Sequence, residues 1–230
     1  MTYEYAAVIN GGKRKYECFD AFARVSDSFT LCDGANSCKN SGKLAKKLAS
    51  LFSKKISSIA MKKVDREREI SKIVLDIHEN CALNNEAGAS TLLGLNILKD
   101  SYEIISVGDS YGKVFTRNPD GAWTEHCSIP RDLDYNGNPW QLIGSDVCEL
   151  VHYTRLYREN VACVFLMSDG VGDFIKNSDI EKILNKKDIK KFNPSNLRKI
   201  VESLLSISGE RGSKDDMSIC MAFIEKKNEG

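Results

Sequence analysis

The chain is poor in the residues that build zinc, disulfide or membrane proteins. Among 230 residues there are three histidines and four prolines. The eight cysteines, at positions 18, 32, 38, 81, 127, 148, 163 and 220, never form a Cys-x-x-Cys pair. No His/Cys cluster has zinc spacing, which argues against zinc hydrolysis and leaves a zinc site or a disulfide framework as the minority reading. Cys32, Cys163 and Cys220 sit inside apolar, strand-like runs and read as reduced, buried small hydrophobes, which points to a cytoplasmic protein. The longest strongly apolar run, Val161 to Met167, falls far short of the ~20 residues of a membrane helix. The opening Met-Thr-Tyr-Glu-Tyr has no basic segment leading into an apolar one, so no signal peptide is expected. Lys and Arg number 33 against 32 Asp and Glu, and a net charge of +1 gives no field to draw in nucleic acid or acidic membrane. Ser168 lies outside any Gly-x-Ser-x-Gly elbow, which argues against a serine hydrolase. His78, His126 and His152 have no recognisable nucleophile partner and read as surface or structural residues.

What is present is an ordinary globular composition, 42% hydrophobic and 28% charged, in a length suited to one domain over residues 1–230. Residues 3 to 9 and Ser28 to Cys32 read as strands. Leu44, Leu48, Leu51, Phe52, Ile56 and Ile59 recur at helical spacing. Ile70, Ile73, Val74, Ile77 and Cys81 do so again after Asp65, an N-cap candidate. STLLGLNIL and YEIISVG, separated by Lys99-Asp100-Ser101, form a hairpin signal, followed by a strand over Lys113 to Arg117. Residues 124 to 160 read as loop with short elements. Val161 to Met167 is a buried strand. Ser178 to Leu184 starts a helix with a Ser-x-x-Glu box, Asn193-Pro194 opens another, and Met217 to Ile224 closes the fold as a strand. Strands and helices come in runs rather than in alternation. That order predicts an α+β fold with antiparallel strands and helices packed outside.

The informative feature is the placement of aspartates. Asp33 and Asp169 each end an apolar strand and precede a glycine; Asp109 follows Ser106-Val107-Gly108; Asp215 precedes the last strand; Asp20 precedes Ala21-Phe22. A rigid strand end can aim a carboxylate into a cleft, and an adjacent glycine allows close backbone approach. Several carboxylates at one edge repel unless a cation neutralises them. Hard oxygen ligands select Mg²⁺, Mn²⁺ or Ca²⁺. A single Asp-Gly pair is most often an ordinary turn. Two at strand ends, with Gly-Asp-Ser and Asp-Asp besides, are hard to credit to chance.

These residues resemble a family. LCDGANS (31–37), GASTLLGLNI (88–97), ISVGDSYGKVF (105–115), FLMSDGVGDFI (165–175) and KDDMSICMAF (214–223) are similar, in order, to the motifs of the metal-dependent protein phosphatases of type 2C. YECFDAF (16–22) resembles the opening acidic motif. Each motif is weak alone; the ordered set spans nearly the whole chain and suits a compact, bacterial-like member. The resemblance implies a central antiparallel β-sandwich flanked by helix pairs, in four αββα layers, with metals in a cleft at one end. By motif, Asp33 would bridge two Mg²⁺ or Mn²⁺ ions and Gly34 would offer its carbonyl. Asp169 and Asp215 would complete one shell, Asp20 would hold metal-bound waters, and Asp109 would join Asp169 at a third, weaker ion. Asp216, where Asn is common, ranks second.

Three positions depart from the pattern. Phe19 replaces an acidic residue, and Ala35 stands where some members carry a His proposed as general acid. Lys15, with Arg14 beside it, stands at the phosphate-gripping Arg, and a lysine pairs with phosphate without forking it. The implied reaction is hydrolysis of phosphoserine or phosphothreonine by a metal-activated water, catalysed by Asp33, Asp169 and Asp215. The implied partner is a phosphorylated protein, with neither nucleic acid nor membrane, and the chain is expected to act as a monomer. Two rivals stand beside this reading: a catalytically weak phosphoprotein-binding scaffold of the same fold, and a phosphotransferase using Asp33 or Asp169 as nucleophile.

Overall fold

A computed structural model describes residues 3–12, 17–59, 65–83, 88–186 and 192–225. Ten strands form two five-stranded sheets in which every neighbouring pair is antiparallel. The first has the order β1 (Tyr3–Asn10), β10 (Met217–Ile224), β9 (Ala162–Met167), β6 (Tyr111–Arg117), β7 (Trp123–Ser128). The second runs β2 (Ala21–Val25), β3 (Ser28–Cys32), β4 (Leu92–Ile97), β5 (Ser101–Val107), β8 (His152–Tyr157). Helices α1 (Ser41–Ser57) and α2 (Arg66–Leu83) join β3 to β4, while α3 (Asp169–Gly172), α4 (Asn177–Leu184) and α5 (Pro194–Glu210) lie between β9 and β10. The α+β expectation holds.

The two-residue period of the strands explains the layering. Cys163, Phe165 and Met167 of β9 pack with Ile180, Leu197, Ile200 and Leu204 of α4 and α5. Their neighbours Ala162, Val164 and Leu166 pack with Phe29, Leu31, Leu93 and Leu95 of the other sheet. A third cluster places Leu48, Phe52, Val74 and Ile77 of α1 and α2 against Cys32, Leu92 and Ile105. Both faces of β9 are therefore dry, which is why its sequence is a continuous apolar run. Burying a side chain such as Phe165 contributes roughly 2–3 kcal/mol.

The strand sequences that alternate weakly are those at sheet edges. β7 (WTEHCS) and β8 (HYTRLY) lie within the stretch expected to be irregular, and β2 (AFARV) has no counterpart in the sequence reading. Each ends its sheet and exposes part of its length, so the packing constraint that writes an apolar pattern is absent there. The helix starts are close to expectation. The Asp65 carboxylate accepts from Arg68 N–H at 3.2 Å, and Asn193 accepts from Asn196 N–H at 3.0 Å. The α4 cap differs: Asp179, not Glu181, reaches back, accepting the Lys176 N–H at 2.9 Å, so the helix begins one residue early.

One buried ion pair ties α2 to the second sheet. Arg66 forks Glu103 through Nε (2.7 Å) and Nη2 (2.8 Å), and Glu103 also accepts from Tyr153 Oη (2.8 Å) and Asn96 Nδ2 (3.0 Å). Burial alone would raise the Glu103 pKa, but the Arg66 guanidinium and these donors hold it below the usual carboxylate range.

Candidate active site

Pairing places the aspartates together at one end of both sheets. Asp20 and Asp33 flank the open end of the β2–β3 hairpin, one position beyond the Ala21–Cys32 pair. Asp169 follows β9 and Asp215 precedes β10, and those strands pair with Met167 opposite Ile219. Carboxylates from distant parts of the chain thus become neighbours by register alone. The two sheets meet here: Ser218 Oγ of the first donates to Asp20 Oδ2 at 2.5 Å. Asp33 lies within hydrogen-bonding reach of both Asp20 and Asp169.

Local backbone bonds hold each motif. The Asp33 N–H donates to Thr91 Oγ1 and the Thr91 N–H returns to the Asp33 carbonyl, both at 2.9 Å. Gly34 donates its N–H to the Phe19 carbonyl at 3.2 Å and bridges Ser90. A Cβ on Gly34 would stand 2.8 Å from the Ser41 backbone; one on Gly170 would stand 2.1 Å from the Asp216 carbonyl oxygen. Both Asp-Gly glycines are thus demanded by close approach to neighbouring backbone. Asp169 opens α3, whose first turn closes through Gly172 N–H to Ser168 O at 2.8 Å.

The electrostatics are those of a crowded acidic cluster. Burial, then repulsion from Asp20 and Asp169, pushes the Asp33 carboxyl well above the usual range. Burial likewise raises Asp20 to about 6, although Ser218 works against it. Asp109 is raised to about 6, again mainly by burial with repulsion from Asp169. Burial also raises Asp169, with Asp215 and Asp173 adding to it. Among the described residues, two buried oxygens, Asp20 Oδ1 and Asp169 Oδ1, have no hydrogen-bond partner. A buried acceptor without a donor is costly, and a cation would satisfy it. Among the described residues, no three acidic, His or Cys side chains already converge as a finished cation cage.

Asn36 and Asp173 escaped the sequence reading, in which Asp216 ranked second. Asn36, inside the LCDGANS motif, donates from Nδ2 to Asp215 Oδ1 (3.2 Å) and Oδ2 (3.1 Å). Asp216 accepts the N–H groups of Gly12 (2.8 Å) and Phe19 (2.7 Å), so its oxygens hold backbone. Asp173, exposed beside the cluster, accepts from Tyr111 Oη at 2.5 Å. Lys15 lies outside the described residues. His78 accepts the Gly144 N–H at 3.2 Å, and His152 pairs with buried Asp132 at 2.7 Å.

The family model described as protein phosphatase 2C matches residues 13–218, and the chain belongs to that family, the metal-dependent protein phosphatases. Its fold is similar to that of the serine/threonine phosphatase Stp1 from Staphylococcus aureus (TM-score 0.80, 16% identity, 98% of this chain and 96% of that one). It is similar also to the serine/threonine phosphatase PstP/Ppp of Mycobacterium tuberculosis (TM-score 0.75, 15% identity, 98% and 100%). A further similar structure is the catalytic domain of PstP in complex with two manganese ions (TM-score 0.70, 14% identity, 97% and 98%). At these identities the structures speak for the fold. No curated protein matches the chain by sequence. Among the described residues, no helix is long and apolar enough to cross a membrane.

Proposed function

We propose that this chain is a Mg²⁺- or Mn²⁺-dependent serine/threonine protein phosphatase whose single catalytic domain spans residues 1–230. The metal-holding groups are the carboxylates of Asp33, Asp169 and Asp215 and the carbonyl of Gly34. Asp20 serves the outer shell, and Asp109 serves a third, weaker position. The observation that carries the reading is the pair of buried oxygens, Asp20 Oδ1 and Asp169 Oδ1, that have no hydrogen-bond partner among the described residues, inside a cluster of mutually repelling carboxyls. An all-oxygen donor set of this kind fits hard divalent cations. When bound, such ions supply a water of lowered pKa and neutralise charge developing on the phosphoryl group.

The chain's own residues do the positioning. Asn36 holds both Asp215 oxygens, and Ser218 fixes Asp20. Asp216 anchors the backbone just before Asp20 through the Phe19 N–H. Ala35 carries no titratable group, so position 35 donates no proton to the leaving group. Lys15 pairs with the substrate phosphate as a point charge. The substrate is a phosphorylated protein and the protein acts as a cytoplasmic monomer. The test is turnover of p-nitrophenyl phosphate and phosphoserine or phosphothreonine peptides. Activity is expected to vanish in EDTA and return with Mn²⁺ or Mg²⁺; full turnover by rigorously metal-free protein refutes the reading.

A further inference from the structure

The turn that carries Asp109 has an unusual structural burden. It joins β5 of the second sheet to β6 of the first, so the chain changes sheets across residues 108–110 and leaves both ladders. Gly108 adopts φ +96°, and a Cβ there would stand 2.9 Å from Thr91 Cγ2 and 3.0 Å from Leu142 Cδ2. A residue other than glycine is strained at that φ and crowded besides. The backbone groups of this turn need partners that neither sheet provides.

Arg131 and Asp132 provide them. Asp132 N–H donates to the Gly108 carbonyl at 2.9 Å, and Gly108 N–H donates to Asp132 Oδ2 at 2.7 Å. Arg131 Nε donates to the Asp109 carbonyl at 2.6 Å. The same guanidinium donates from Nη1 to Tyr111 Oη at 2.6 Å and from Nη2 to Asp173 Oδ1 at 3.4 Å, and it lies over the Tyr111 ring at 3.8 Å from the centroid. His152 Nε2 bonds the remaining Asp132 oxygen, Oδ1, at 2.7 Å. Asp132 is only 2% exposed, so its oxygens are satisfied by these partners and not by water.

We infer that Arg131 and Asp132, with His152 behind them, form a positioning clasp on the Gly108–Asp109 turn that sets where the Asp109 carboxylate stands relative to Asp169. This rests on the phosphatase reading and deepens it by naming what holds Asp109. The clasp spans three parts of the site at once: Gly108 through Asp132, Asp109 through Arg131 Nε, and the segment after α3 through Asp173. The guanidinium is suited to this because its fork is planar and rigid; a lysine ammonium cannot reach three acceptors in that plane. Arg131 also sets positive charge beside Asp109 and Asp173, which partly offsets the repulsion Asp109 receives from Asp169.

The experiment compares wild type with Arg131→Lys, Arg131→Met and His152→Asn. For each, kcat, KM for a phosphopeptide and the Mn²⁺ concentration for half-maximal turnover are measured. Amide hydrogen exchange at residues 108–110 is followed in metal-free protein, and thermal unfolding is followed in EDTA. Arg131→Lys and Arg131→Met are expected to raise the Mn²⁺ requirement about tenfold with KM for the phosphopeptide unchanged. His152→Asn, which removes one partner of Asp132, is expected to raise Gly108 amide exchange in metal-free protein and to raise the Mn²⁺ requirement less. A rise in KM with the Mn²⁺ requirement unmoved would make Arg131 a substrate grip and overturn the clasp. So would a fall in thermal stability with neither the Mn²⁺ requirement nor exchange at 108–110 affected. If wild type shows no Mn²⁺-dependent turnover, the phosphatase reading fails by itself. Exchange at 108–110 and calorimetric Mn²⁺ binding then still judge the clasp.

Discussion

Replacing Asp169 by Asn tests the acidic cluster at its centre. The substitution keeps shape and removes one charge from a carboxylate that lies beside Asp33 and repels Asp215 and Asp173. In metal-free protein it relieves repulsion and offers Asp33 an amide donor, so the fold should persist, with thermal stability in EDTA equal to or above wild type. With metal the sign reverses. A cation present at a hundred times its Kd stabilises the native state by about 2.7 kcal/mol. For a chain of this size that is roughly 5–11 °C in Tm. If Asn weakens binding about a hundredfold, the stabilisation falls to about 0.4 kcal/mol, or roughly 1–2 °C. Turnover should drop at least about a hundredfold, equivalent to ~2.7 kcal/mol of barrier. Calorimetric scans with EDTA and with Mn²⁺, alongside phosphopeptide kinetics, measure both. A variant with the wild-type Mn²⁺ shift and normal kcat would remove Asp169 from the site, and with it the parallel roles of Asp33 and Asp215.

Gly170→Ala would place a methyl 2.1 Å from the Asp216 carbonyl oxygen. Because that neighbour is backbone, overpacking should cost about 1–3 kcal/mol in urea unfolding and displace Asp215, lowering metal-dependent turnover. Glu103→Gln removes the charge that buried Arg66 forks, and a loss of about 3–5 kcal/mol is expected by denaturant titration. Glu103 titrates below its unfolded value, so its contribution is complete above the ordinary carboxylate pKa and is lost as pH falls through the lower, folded one. Stability of wild type should therefore decline more steeply in that acid window than stability of Glu103→Gln, and parallel pH curves would refute this. Lys15→Ala should raise KM for phosphopeptide with kcat little changed; a loss appearing only in Arg14→Ala would move the role by one residue.

The sequence by itself determined the elements whose both faces are dry or whose ends are capped. β9 and β10 announce themselves as continuous apolar runs because one face meets the other sheet and one meets α5. The α2 and α5 starts are written in single polar residues, Asp65 and Asn193, whose bonds are local. The ordered Asp motifs pointed to the site because each lies at a strand end, where chemistry and geometry are set by adjacent residues. Among the edge strands β1 was legible, but β2, β7 and β8 were not, since half-exposed positions accept Glu, His, Thr or Arg at little cost. Spacing alone could not show which acids meet; only the family resemblance named them. Asp20 and Asp33 adjoin through the β2–β3 register, and Asp169 and Asp215 through the β9–β10 register. The partners that hold them were decided only by tertiary structure. Asn36 reaches Asp215 across 179 positions, while Arg131 reaches Asp109 and His152 reaches Asp132 across about 20 positions each. Such contacts have no period and no fixed spacing. They exist only once two sheets have packed and brought unrelated loops to the same end.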